Sequence, residues 1–154
     1  MAVAFVTHPH CLRHRMGEGH PERPARLGAI EDELHTRGLY DLLLHREAPR
    51  ASVEQLVRVH PLEYVEGLAN RSPAEGLAHI DPDTWMCPDT FEAALRAAGA
   101  NVLATDLVLT GEASRAFCNV RPPGHHAERA TAMGFCFFNN VAVAARHALE
   151  HHGL

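Results

Sequence analysis

Residues 121–127 read Arg-Pro-Pro-Gly-His-His-Ala, and residues 133–145 read Met-Gly-Phe-Cys-Phe-Phe-Asn-Asn-Val-Ala-Val-Ala-Ala. An apolar run at 116–120 precedes the first stretch, and a helical pattern from Phe138 to His151 follows the second. Strand, loop, helix is the order expected of an α/β unit, and such loops carry the ligand sites of open parallel sheets. Each proline fixes φ near −65°, and Gly124 permits a turn that a Cβ would resist. Two adjacent imidazoles, His125 and His126, are thereby held at one spot. Imidazole titrates near neutral pH, so such a pair can take and give protons within one reaction cycle.

Working outward, Ala2–Thr7 reads as a buried strand and residues 8–22 as a long aperiodic loop. Pro24 opens a helix bearing Leu27, Ile30 and Leu34, which Gly38 stops. Leu42–Leu44 is a second short strand. Ser52 caps a helix through Val59, and another runs from Leu62 to Leu68. Residues 70–83 read as turn-rich loop. Asp89 then caps a long helix ending at Thr110-Gly111. The expectation is one α/β domain over residues 1–154, a parallel sheet flanked by helices, with no internal repeat or linker. The next strand of such a fold is expected beyond the last helix.

Composition narrows the function classes. The chain has 154 residues, a formal net charge of −5, 46% hydrophobic and 21% charged residues. That balance argues against nucleic-acid or membrane-surface partners. All 14 basic residues are Arg, which excludes Schiff-base lysine chemistry and a Walker P-loop. The four cysteines contain no C-x-x-C pair and read as reduced thiols, so a cytoplasmic location is expected. Thirteen histidines raise the prospect of metal chemistry, yet no residue is assigned as a metal ligand. His8, His10 and Cys11 with His14 or His20 match no strong zinc spacing, and His151-His152 reads as a frayed helix end.

The two stretches quoted first resemble the zinc-dependent deacetylase family: class II histone deacetylases, their bacterial relatives and acetylpolyamine amidohydrolases. So do Gly19-His20-Pro21-Glu22-Arg23-Pro24-Ala25-Arg26-Leu27, Asp81-Pro82-Asp83-Thr84, and the helix from Phe91 to Gly99. The resemblance implies an arginase/deacetylase-like fold and hydrolysis of N-acyl amides of lysine or polyamines by zinc-activated water. His126 is then the general base and His125 its electrostatic or general-acid partner. Asp83 is a rim acid that orients the substrate backbone or a cationic amine. Phe135 lines the acyl tunnel, Gly134 offers its carbonyl to the substrate amide, and Arg26 stands at the tunnel's inner end.

The family's zinc ligands, in a D-x-H motif and a later Asp, and its oxyanion tyrosine come after the last helix seen here. The last Asp of this chain is Asp106 and its only tyrosines are Tyr40 and Tyr64. The chain is therefore expected to be the N-terminal portion of the domain. Zinc is implied by the family with its ligands outside this chain, which is expected to be inactive alone. A complementing C-terminal half or self-association would cover the sheet edge. The alternative is a zinc-free acyl-amide-binding or assembly fragment.

Overall fold

The computed structural model describes residues 2–154. The elements, in order, are β1 (Val3–Thr7), α1 (Ala25–Thr36), β2 (Leu44–Glu47), α2 (Val53–Val57), α3 (Leu62–Arg71), β3 (Ala78–Asp81), β4 (Thr84–Met86), α4 (Thr90–Leu109), β5 (Arg115–Asn119) and α5 (Asn140–His151).

β1 lies between β2 and β5 and pairs in parallel with both. A strand with neighbours on both edges and helices on both faces should be apolar throughout. Ala4, Phe5 and Val6 accordingly are all at most 1% exposed. Alternation sends Ala4 and Val6 to the face packed on α4, while Phe5 points the other way. There it meets His45 and Phe117, its register partners on β2 and β5, together with Tyr40. The α1 helix lies on that second face, where Asn119 Nδ2 donates to Leu27 O at 3.3 Å.

α4 organises the core because its small side chains serve two sides. Ala94, Ala98 and Val102 pack with Leu56, Val65, Met86 and Phe138, while Ala97, Ala100, Ala104 and Leu107 belong to the cluster around Ala4 and Val6. The Ser52 cap is present as a full capping box with Gln55, and Gly38 and Gly111 follow the ends of α1 and α4 with positive φ.

Three sequence expectations change. Leu42 belongs to a 3₁₀ turn and is 73% exposed; the strand starts at Leu44, the first residue to pair with β1, opposite Ala4. Residues 70–83 are not all loop: α3 runs to Arg71 and β3 pairs antiparallel with β4 through a Pro82-Asp83 turn. Asp89 occupies the N-cap position of α4 but its side chain makes no cap bond; its carboxylate meets His10 Nε2 at 3.1 Å instead.

Among the described residues, the outer edge of β5 carries no strand. Phe117 on β5 is 48% exposed and Val141 on α5 is 61% exposed.

Candidate active site

The site begins at the C-terminal ends of two neighbouring parallel strands. β1 releases residues 8–22 and β5 releases residues 120–139, so both loops emerge at the same edge of the sheet. Arg121 ties them together. Its fully buried guanidinium donates to both carboxylate oxygens of Glu22, at 2.8 and 2.5 Å, and to the carbonyls of Cys11 and His14, at 2.9 and 2.6 Å. A buried cation is tolerated only when paired and saturated with acceptors, and this one is both.

The turn after Arg121 is held from below by α5. A Cβ on Gly124 would lie 2.5 Å from the amide nitrogen of Asn140, so glycine is required by close approach of two backbones. Asn139 accepts from the Ala142 amide as the N-cap of α5 and donates to Ala127 O at 3.0 Å, joining helix to loop. His60, 1% exposed, donates from Nδ1 to Arg129 O at 2.9 Å and accepts from the Asn139 amide at 3.0 Å. Burial holds its pKa below the usual imidazole value. Tyr64 Oη donates to Phe137 O at 2.6 Å.

On this platform His125 and His126 stand exposed, with ring centroids 4.2 Å apart and planes inclined by 50°. Neither imidazole makes a hydrogen bond to the described residues. Gly134 lies against His126: a Cβ there would approach His126 Cβ at 2.7 Å. Gly134 and Phe135 are the central residues of a tight turn closed by Met133–Cys136 backbone bonds of 3.1 and 3.0 Å. Their φ values are +56° and +70°. Positive φ at both centres defines a type I′ turn, easy for glycine and strained for phenylalanine. The strain is held locally. The Phe135 amide donates to Thr84 Oγ1 at 3.0 Å, and the His20 ring meets the Phe135 ring edge-on at 4.7 Å.

The same two residues bring in Asp83, which lies exposed in the β3–β4 turn. Thr84 Oγ1 donates to Asp83 Oδ1 at 3.1 Å. His20 accepts from the Glu22 amide on Nδ1, at 3.1 Å, and donates from Nε2 to Asp83 O at 3.0 Å. On the opposite flank, Arg26 donates to Val120 O at 2.9 Å and shares a cleft of about 470 Å³ with Glu22, Pro122 and His125. All six residues singled out in the sequence thus belong to one connected neighbourhood. Sequence reasoning missed its struts: Arg121, Thr84, His60 and the His20 tautomer. Arg121 and Thr84 lay inside recognised motifs, but their partners are distant in the chain.

Glu22 also faces His14, whose ring is fully buried with Nε2 3.7 Å from Glu22 Oε2. At that distance it is not a hydrogen bond. Burial, reinforced by the charge of Arg121, pushes the His14 pKa down to about 3, so the ring is neutral. Burial likewise pushes the thiols of Cys11, Cys118 and Cys136 up, which disfavours a cysteine nucleophile.

The histone deacetylase domain model matches residues 20–154. The chain belongs to the histone deacetylase domain family. It is 41% identical to human polyamine deacetylase HDAC10 across its whole length, covering 24% of that protein. It is 43% identical to the histone deacetylase-like amidohydrolase of Pseudomonas aeruginosa, with 88% of this chain and 36% of that one covered. The solved HD domain of HDA15 superposes with a TM-score of 0.88 at 36% identity, over 94% of this chain and 42% of that one. The chain therefore spans less than half the length of these three relatives.

A zinc ion is the cofactor this family suggests. The His125–His126 pair offers two nitrogen donors, and no third His, Cys, Asp or Glu among the described residues joins them in a ligand group. A structural zinc takes four ligands and a catalytic one three. The residues present do not by themselves fit the ion at this loop. The histidines of residues 8–20 do not gather either: His8 meets Glu47, His10 meets Asp89 and His14 meets Thr90.

Proposed function

We propose that this chain supplies the proton-transfer loop, the acyl-tunnel wall and the substrate rim of a deacetylase-like amidohydrolase acting on N-acetyl amides of lysine peptides or polyamines. The observation that carries the reading is the exposed imidazole pair, seated on Gly134 beside a strained Phe135, within a chain of this family. His126 acts as general base toward a water and His125 as its electrostatic or acid partner. The contribution of such proton transfer is typically ~10²–10⁴-fold. Phe135 presents an aromatic face to a slim acyl chain. The Gly134 carbonyl accepts from the Cys136 thiol at 3.2 Å and has a second lone pair for a substrate N–H. Asp83 offers an exposed carboxylate to a backbone amide or an ammonium group. Arg26 lies in the cleft behind His125 and would meet polar species at the inner end.

A catalytic zinc with ligands outside these 154 residues is part of the proposal, and so is a cytoplasmic setting. So too is a complementing C-terminal segment, or a second copy, against the free edge of β5. The isolated chain, assayed with zinc on an acetyl-lysine peptide and an acetylpolyamine, should show no turnover above its His126→Ala variant. Fusion to the remainder of the Pseudomonas aeruginosa relative's domain should yield hydrolysis that His126→Ala removes. Turnover by the isolated chain would refute the incompleteness. A folded, zinc-loaded fusion without His126-dependent hydrolysis would refute the reading itself.

A further inference from the structure

A second histidine cluster lies at the other end of α5. His147 and His151 are one turn apart, so both leave the same helix face. Their rings stack at 4.9 Å with planes 16° apart. His152 follows at the helix end, its ring edge-on to both, at 5.6 and 5.0 Å. One ring nitrogen from each of the three lies within 4.8 Å of the others. From α4, Asp106 adds a carboxylate: Oδ1 is 2.7 Å from Nε2 of His147 and 2.7 Å from Nε2 of His152.

We propose that His147, His151, His152 and Asp106 bind one late first-row divalent ion, zinc foremost. Three imidazoles and a carboxylate form a borderline nitrogen–oxygen set, which suits zinc, cobalt, nickel or copper and not the oxygen-seeking calcium or magnesium. An Asp106 bridge between α4 and α5 needs only two imidazoles. His151 makes no hydrogen bond to the described residues, yet its ring lies over His147 instead of extending into water. Nitrogens bonded tetrahedrally at the usual zinc distance sit ~3.3 Å apart. Around an ion the three imidazole nitrogens would draw towards that spacing while the 2.7 Å Asp106 contacts lengthen, and the ligands with most room to move are the exposed His151 and the helix-terminal His152.

The buried His147 sets the protonation requirement. Arg58 Nη1 donates to its Nδ1 at 3.3 Å, which leaves the proton on Nε2, facing Asp106. Ligation through Nε2 shifts that proton to Nδ1; the ring stays neutral and the long Arg58 contact is given up. Arg58 retains Glu150 at 3.1 Å and Glu54 at 3.3 Å. Four protein ligands leave no open position, so the ion would pin α5 to α4 and take no part in hydrolysis. The 12-residue α5 separates this site from the His125–His126 loop by ~18 Å.

The test uses the untagged chain, stripped with chelator and titrated with Co²⁺ under visible absorption, with zinc as competitor. One equivalent should bind with the intense bands of tetrahedral cobalt, and zinc should displace it. His151→Ala alters an exposed residue and Asp106→Asn keeps its shape; each should weaken binding at least tenfold. The double variant His125→Ala/His126→Ala should bind as well as wild type. A weak octahedral spectrum, equal binding in His151→Ala and Asp106→Asn, or loss of the bands in the double variant would each overturn the site.

Discussion

The two ends of α5 use histidine in opposite ways. At the N-terminal end, His125 and His126 are neighbours in sequence on a loop whose whole environment is spent on positioning them. Backbone is packed beneath Gly124, Gly134 lies against a ring, and neither imidazole has a hydrogen-bond partner among the described residues. At the C-terminal end, His147 and His152 are already engaged by Asp106, and Arg58 reaches the far side of His147. Imidazoles held in place but left unbonded keep their ring nitrogens free for proton exchange, the role proposed for them above. Imidazoles converging on a carboxylate are ready to hold an ion or two helices. Local histidine density reads the same at both ends; the partners separate them.

The contrast can be broken most severely at the loop. In the fusion with the rest of a relative's domain, His126→Ala should lower kcat/KM by ~10²–10⁴-fold and leave the melting midpoint within error, since the ring supports no buried contact. A matching fall in stability would make His126 a structural residue. Glu22→Gln tests the strut under the same loop. It leaves the Arg121 guanidinium buried without its counter-charge and should cost about 3–5 kcal/mol in urea unfolding. Little loss there would mean that the two loops are held some other way.

Buried histidines sharpen the comparison through pH. The folded-state pKa of His14 is pushed down to about 3 and that of His60 is also lowered, so the unfolded chain binds protons more readily. Their contribution is complete above the unfolded value near 6.5 and is lost as pH falls from there towards about 3. Between pH 7.5 and 5, His14 alone should remove ~2 kcal/mol of stability in urea melts. Unchanged midpoints over that range would contradict its neutrality. The smallest effect is expected at Phe135→Gly. Relief of the positive φ should stabilise the chain by ~1 kcal/mol while KM of the fusion rises, separating the strain from the aromatic wall it maintains. A destabilised Phe135→Gly would show that the ring's packing outweighs its backbone strain.

Much of the fold is legible in the sequence. The Ser52 cap, the glycines ending α1 and α4, and the apolar run of β1 are local signals, and each appears in the structure. The β3–β4 hairpin was missed because strands of four and three residues leave too little alternation to read between turn residues. The motifs named the six site residues, but not the contacts between them. Phe135 gives no sequence sign of positive φ, because only the turn around it and Thr84 from another segment impose it. From the sequence, His151-His152 reads only as a fraying helix end, because Asp106, which engages His147 and His152, lies on a different helix.

Arg121 has a temporal consequence. Its four bonds span 99 to 110 residues of chain, so none can form until the loop after β1 and the turn after β5 have met. Contacts of such high order carry the full closure entropy before they return any stability. The segment from Cys11 to Glu22 should therefore order among the last parts of the chain. In hydrogen-exchange experiments its amides should label before those of α4, so the platform beneath the histidine pair would open before the core helix.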